Sequence, residues 1–530
     1  MRRKYVERVA ARAVFTAAIA FLTSTLISCS GSGSSNFMSN PPPPPVNPVG
    51  PNLTQISSDP FTVGPGQHAT EVEPHLFANG STLVAAFQTG RIAPGGATGI
   101  GWATSTDGGT TWTHGFLPDL TTGNAQAPGP YDAASDPNVA YDAKHQVWMI
   151  SSLPVANFQT PAVVVSRSTD GGMTWNNPVI SVDAASASSD KNWIVCDSTA
   201  ASPHYGNCYV EWDDPGNKDQ ILMSTSSDGG QSWGSALATG SGAFGIGGQP
   251  LVQPNGNVVV PIEVFTPSGL NAESVSMSAF SSNNGGTSWS APVTISDIQL
   301  HNDAGGIRSG PLPSGAVDGD GAIWVVWEDC RFRANCSTND LVYSNSTDGV
   351  NWSPVTRIPI DDVTSTADYF IPGIGIDPTT AGANAHVAVH YYYYSQTNCT
   401  ESNCQLGVGF ISSSNGGSTW NTPATLLQGP MQLSWLPNSQ NGLMVGDYIA
   451  TAFVNRMPLG NVPIGVFAVA QANSGTTFSE AIYTAQGLTV TKTARQLSSA
   501  NDKPLHKMSD VIERERPEKG VIPPQNRKTK

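Results

Sequence analysis

One eight-residue turn, written six times, constrains this chain more than any other feature. Ser105-Thr106-Asp107-Gly108-Gly109-Thr110-Thr111-Trp112 returns as Ser168-Thr169-Asp170-Gly171-Gly172-Met173-Thr174-Trp175 and as Ser226-Ser227-Asp228-Gly229-Gly230-Gln231-Ser232-Trp233. Residues 282–289 and 413–420 carry Asn in place of Asp, and the copy at 346–352 is one residue shorter. The tryptophans step by 63, 58, 56, 63 and 68 residues, a period that suits one four-stranded sheet per repeat. The chemistry of the motif is that of a hairpin turn. Asp or Asn accepts hydrogen bonds from backbone N–H groups just ahead of it, the glycines supply positive φ at little steric cost, and Ser or Thr caps what remains. The Trp then opens the next strand and can pack between neighbouring sheets. With 54 Gly, 40 Pro and 12% charged residues, the chain is no coiled coil. It reads as all-β.

This turn resembles the Asp box, S-x-D-x-G-x-T-W, of the sialidase superfamily and related β-propellers, and the copies span residues 105–420. The resemblance implies a sialidase-like β-propeller of four-stranded blades, six by the family pattern and seven by the strand count here. In that superfamily the box lies between the third and outermost strands, on the face away from the active site, so it speaks for fold more than for function. Around the first copy, residues 73–77, 82–87 and 99–103 read as the inner, second and third strands. Later inner strands are expected near Asp136-Pro137, Lys191-Asn192-Trp193, Gln249-Pro250, Gly306-Ile307-Arg308 and Phe370-Ile371-Pro372. A seventh begins at Gly446-Asp447-Tyr448, with Phe61-Thr62-Val63 expected to supply its outer strand and close the ring.

The ends have a different character. Arg2-Arg3-Lys4 followed by the apolar run 14–22 has the layout of a secretory signal peptide. Leu26-Ile27-Ser28-Cys29 resembles a bacterial lipobox, which implies lipidation at Cys29 after removal of residues 1–28; the alternative is an ordinary signal peptide with a chance cysteine. Residues 29–51, Gly/Ser-rich and then with Pro41 to Pro45 in succession, read as a semi-rigid tether, residues 52–486 as the propeller, and 487–530 as a polar disordered tail. The expected location is the cell surface, outer membrane or periplasmic face, with the membrane reached through the lipid alone. Cysteine usage agrees with export. The remaining six form three close pairs, Cys196/Cys208, Cys330/Cys336 and Cys399/Cys404, expected as three local disulfides; zinc competes weakly, because no pair has CxxC spacing.

Charge narrows the partners. Between residues 13 and 490 stand ten basic and 34 acidic residues, a net charge of −24. Nucleic acid is thereby excluded as an expected partner, since phosphate binding needs a clustered basic surface. A glycan is expected instead, acted on by a monomer. The acidic residues gather where inner strands begin (Glu71, Glu73, Asp136, Asp190, Asp303, Asp368, Asp447) and where second strands end (Glu211, Glu263, Glu328). Such a ring can supply a general acid and base, or bind calcium through oxygen ligands; no cofactor is otherwise implied.

Sialidases of this superfamily grip the substrate carboxylate with three arginines, the first in an Arg-Ile-Pro motif, and cleave with an Asp acid/base and a Tyr nucleophile activated by Glu. The matching stretch here is Val72-Glu73-Pro74, which keeps the proline and lacks the arginine. Arg308 is the one arginine that opens an inner strand, and true exo-sialidase activity is doubtful on that ground. Tyr448 beside Asp447 is the candidate for a sialidase-like tyrosine, with Glu211 or Glu263 as its activator and Tyr369 as its competitor. Glu73, Asp136, Arg308, Tyr369 and Trp327 are the candidate substrate contacts. No GxSxG elbow, HExxH helix, P-loop or dinucleotide fingerprint is present. Two readings stand: a glycoside hydrolase acting at the channel mouth, and a non-catalytic propeller that binds glycan, metal or protein there.

Overall fold

The computed structural model describes residues 47–50, 52–183, 188–268, 272–490 and 502–504. The expected signal segment, Cys29 and most of the tether and tail lie outside the described residues.

Those residues form an all-β body of antiparallel strands in seven consecutive groups. The first runs Gln67–Asn79, Thr82–Arg91, Ala97–Ser105 and Thr113–Phe116. Ala133–Asp142, Val147–Val155, Ala162–Ser168 and Val179–Asp183 make the second, joined to the first through one pairing, Ala97 with Ala134. The third is Asp190–Cys196, Cys208–Asp214, Gln220–Ser226 and Leu237–Ala238. In the fourth, Leu251–Val252 and Gly245–Ile246 share one edge of Val258–Ser268, which pairs with Ala272–Ser282 and through it with Val293–Asp297. Ser314–Val317, Ile323–Asp329, Asp340–Ser346 and Thr356–Arg357 form the fifth. Asp368–Ile376, Val387–Tyr394, Gln405–Ser413 and Ala424–Thr425 form the sixth. Ala450–Asn455, Asn461–Ala470 and Glu480–Ala485 make the seventh, whose outermost strand is Leu53–Gln55 from the N-terminal side.

That last strand differs from expectation. Leu53 pairs with Ala485, while residues 61–63 form no strand. Phe61 instead sets its ring 4.9 Å from Phe116 of the first group, where its apolar surface is used.

The repeated turn explains how the groups hold together. Asp170 Oδ1 accepts from the N–H of Met173 (3.0 Å) and Thr174 (2.9 Å), and the Ser168 hydroxyl donates to it at 2.8 Å. Gly171 and Gly172 have φ of 81° and 82°, a region that costs a side-chain-bearing residue strain. A Cβ on Gly172 would also stand 2.7 Å from Val84 of the first group. Each turn thus abuts its neighbour, and its Trp does the same. Trp175 lies 6.5 Å from Trp102 of the first group, and Trp420 lies 6.2 Å from Tyr343 of the fifth. Apolar clusters fill the space between successive groups, and one larger cluster joins the sixth, seventh and first. The first strands also pack successively, with that of the seventh against that of the first.

The three expected disulfides are present: Cys196–Cys208, Cys330–Cys336 and Cys399–Cys404. The first ties the turn between the first and second strands of its group. The other two pin loops after second strands, at the opposite end of the sheets, where the first strands begin.

Candidate functional site

Four first strands carry the same distortion at the same place. Pairing slips between Val72 and His75, Ser135 and Asn138, Asp190 and Trp193, and Phe370 and Gly373. Inside each slip one non-glycine residue takes positive φ: Glu73 at 53°, Asp136 at 49°, Lys191 at 48° and Ile371 at 49°. A side chain in this region is strained, and a bulge re-aims it away from the sheet face it would otherwise occupy. Four repetitions make the distortion part of the design of the repeat.

Three of those side chains converge with two from other groups. The Lys191 ammonium lies 3.4 Å from Asp136 Oδ2 and 3.7 Å from Glu73 Oε1, and it donates a hydrogen bond to Asp447 Oδ2. Arg308 grips the same Asp447 with both arms of its fork, Nε to Oδ1 at 2.6 Å and Nη2 to Oδ2. The Asp447 N–H reaches Glu73 Oε1 at 3.3 Å, Gln88 donates to Glu73 Oε2, and Ser135 Oγ donates to Asp136 Oδ1 at 2.6 Å. All five charged residues are buried. Arg91, also buried and within electrostatic reach, points its Nε at Met444 Sδ, 3.0 Å away.

Burial and neighbours drive these groups to different protonation states. Burial, then the negative charge of Asp136, pushes Glu73 up to about 8, with Lys191 opposing them less. Burial acts on Asp447 in the same direction, but Arg308 and Lys191 outweigh it and hold that carboxyl well below the usual range. Lys191 keeps its proton firmly: burial works against the charge, and Asp136, Asp447 and Glu73 together overcome it. At neutral pH, then, a neutral Glu73 sits beside an ionised Asp447 and a charged lysine.

Beside this cluster is a small pocket lined by Lys191, Asn192, Trp193, Gly247, Gln249, Leu312 and Tyr448. Tyr448 donates its hydroxyl to the Pro137 carbonyl at 3.1 Å and meets Trp193 edge-on at 5.2 Å. Burial first, and then Glu73, Asp136 and Asp447, raise its pKa well above the ordinary phenol value. His75, 4.6 Å from Trp193, accepts from the Val139 N–H and is driven down to about 3 by burial.

Of the expected site residues, Glu73, Asp136, Arg308, Asp447 and Tyr448 are brought together. Glu211 lies directly opposite Trp193 in the third group, fully buried beneath Gly248, with burial raising its pKa well above the carboxylate range. Glu263 is buried on the second strand of the fourth group, opposite Met277 and Ile246. Tyr369 turns away from the cluster to donate to Asp361 (2.8 Å), and Trp327 Nε1 reaches Asp329 at 3.3 Å. Both pack in apolar clusters between sheets. Other arginines are engaged with carboxylates of their own neighbourhood. Arg331 forks onto Asp329, while Arg333 and Arg357 share Asp340 and Asp361. Sequence reasoning passed over Lys191, Gln88, Ser135 and Arg91. The available signal was positional, since Lys191 stands at the place in its repeat that Glu73 and Asp136 hold in theirs. Among the described residues, no set of three or more His, Cys, Asp or Glu side chains is gathered closely enough to hold a metal ion.

No family model matches the sequence, and no curated protein does. Among solved structures the chain is similar to the Hadza microbial sialidase Hz136, at 12% identity and a TM-score of 0.39 over 79% of this chain and 66% of that one. The NanB sialidase of Streptococcus pneumoniae matches at 14% identity and a TM-score of 0.38, over 82% of this chain and 70% of that one. A PL25 polysaccharide lyase, an ulvan lyase, matches at 10% identity and a TM-score of 0.44, over 81% and 95%.

Proposed function

We propose that this chain is a seven-bladed, sialidase-like β-propeller that acts on glycans at the ring formed by Glu73, Asp136, Lys191, Arg308 and Asp447. The seven strand groups, the unbroken succession of their first strands and the apolar cluster joining sixth, seventh and first groups support the closed propeller. One arrangement carries the activity: the adjacent carboxyl groups of Glu73 and Asp447, linked by the Asp447 N–H at 3.3 Å, have split surroundings, because Arg308 and Lys191 grip Asp447 and favour its charge while burial favours the proton on Glu73. Such a split is what general acid chemistry at a glycosidic bond requires. In this reading Glu73 gives its proton to the leaving-group oxygen as the glycosidic C–O bond breaks, Asp136, steadied by Ser135 and Lys191, faces the sugar carbon, and a water molecule adds to that carbon and returns a proton to Glu73. Tyr448 and Trp193 form the wall against which the ring of the sugar packs. Export with a lipid anchor at Cys29 belongs to the same proposal, and the three disulfides support the export.

A second reading, a binding propeller without turnover, is favoured by the burial of the whole ring and by its internal pairing. A hydrolysis screen of the full-length protein against neutral, uronic and sialic aryl glycosides separates the two. Turnover of a neutral glycoside that is lost in Glu73→Gln, with binding retained, supports the acid. Binding without turnover in either protein establishes the second reading.

A further inference from the structure

Arg308 and Asp447 are 139 residues apart in sequence, and Lys191 is 256 from Asp447. Lys191 stands on the first strand of the third group, while Arg308 and Asp447 lie on the segments that lead into the fifth and the seventh, so no local turn imposes their meeting. By contrast Arg331 and Asp329, two residues apart, form a local staple where one strand ends. At Asp447 a planar guanidinium forks onto both carboxylate oxygens while an ammonium caps one of them, the arrangement by which proteins recognise a carboxylate-bearing ligand. Lys191, on its side of the pair, also lines the small pocket next to the cluster.

We propose that Asp447 is this chain's own occupant of a carboxylate-binding site formed by Arg308 and Lys191, and that it restricts the substrate to glycans presenting no carboxylate there. The inference rests on the reading of the ring as a glycan site and names the class of sugar it admits. A tethered carboxylate competes at an effective concentration that a dissolved uronic or sialic acid does not reach, so the wild-type site stays closed to them. Shortening Asp447 to alanine leaves the buried Arg308 without its carboxylate and Lys191 with only Asp136 and Glu73, at 3.4 and 3.7 Å, and creates room for a small carboxylate from solution.

The test uses Asp447→Ala and Asp447→Asn in the full-length protein, with acetate as the probe and glucuronate as the sugar acid. Thermal unfolding is followed in acetate against chloride at equal ionic strength, and glucuronate binding by calorimetry. Acetate should raise the melting temperature of Asp447→Ala and leave the wild type unmoved. Glucuronate affinity should rise roughly ten- to a hundredfold over wild type, the range of one charge-assisted contact, and Arg308→Met placed on top of Asp447→Ala should abolish the gain. Should Asp447→Ala fold poorly, acetate present during refolding is expected to recover it. A folded variant that ignores acetate overturns the proposal, as does a wild type that already binds glucuronate equally well. Failure of both variants to fold in either anion also overturns it, by showing a purely structural role. Acetate binding gained while no variant binds any sugar would retire the glycan reading and leave the carboxylate exchange standing.

Discussion

The Lys191 ammonium lies 3.7 Å from the Glu73 carboxylate, and the two residues hold the same bulge position, with φ of 48° and 53°, in different strand groups. One repeat position therefore supplies both signs of charge, and the ring is held by attraction between copies of a single local device. Removing the cation removes its compensation for Asp136 and Asp447 together. Lys191→Met is expected to cost about 3–5 kcal/mol, the range for breaking a buried pair on one side. Denaturant unfolding at pH 7 reads this directly, and a loss within 1 kcal/mol would show that Arg308 alone compensates the carboxylates. Because Lys191 is raised above its ordinary value, its contribution is complete below about pH 10.4 and is lost only as pH climbs through the higher folded value.

Glu73 gives the second prediction, and its sign is opposite to that of an ion-paired carboxylate. The folded chain holds this proton up to about pH 8, whereas the unfolded chain releases it near 4.5. Folding stability contributed by the neutral form is complete below pH 4.5 and declines as pH rises toward 8. Glu73→Gln should flatten that part of the stability profile. If Glu73 is the proton donor, the same substitution abolishes turnover, and wild-type turnover falls on the alkaline side with an apparent pKa near 8. Thermal melts and rate profiles of both proteins between pH 4 and 9 check the two statements independently.

The turn aspartates behave in the reverse way. Burial, the largest single influence at Asp107 and Asp170, raises each carboxyl, but the hydrogen bonds from Thr111 and Thr174, together with those of Ser105 and Ser168, outweigh it and lower each to about 2. Their contribution is present above about pH 4 and is lost as pH falls toward 2. Both are exposed, so solvent screening limits it, and Asp170→Ala should cost about 1 kcal/mol through lost hydrogen bonds. Asp170→Asn should cost less. Asn284 already fills the role in the fourth group, with Nδ2 donating to Ser288 Oγ at 2.7 Å and Oδ1 accepting from the Ser288 N–H at 3.1 Å. Acid unfolding curves of the two variants against wild type distinguish the cases.

How far the sequence reached follows from the range of each interaction. The turn is built from contacts two to four residues apart, so its six copies announced the repeat, most of the first-strand starts and the all-β class. Gly306-Ile307-Arg308 instead precedes its strand, which begins at Ser314, and Gln249-Pro250 lies just before Leu251–Val252. The disulfides close loops of 12, 6 and 5 residues and were readable for the same reason. Side-chain direction was not. A bulge alters which way a strand residue points, and no local pattern told that Asp447 would face Arg308 while Tyr369, one residue after the acidic start Asp368, would turn toward Asp361. Lys191 was legible as part of a first-strand start, and its charge joins the ring only when its repeat is superposed on those of Glu73 and Asp136. The outer strand of the seventh group failed as an expectation because residues 53–55 and 61–63 are both short and partly apolar, and the choice depends on pairing with Thr484 and Tyr483, over 400 residues away.

The repeated turn ends in a tryptophan whose burial varies from copy to copy, and this grades the last prediction. Trp420 is 1% exposed, stacked among Tyr343, Trp324 and other residues of the cluster between the fifth and sixth groups. Trp112 is half-buried against the cluster that joins the seventh group to the first. An aromatic ring of this size removes a large apolar surface from water, and its loss leaves a cavity that a sheet interface cannot easily collapse. Trp420→Ala should therefore cost about 3–5 kcal/mol, and Trp112→Ala less, because part of its ring already meets solvent. Urea unfolding of the two variants supplies the comparison. Equal losses would mean that the turn itself, through Gly109 and Gly417 lying close to their neighbours, carries most of the contact between groups and that the tryptophans add little to it.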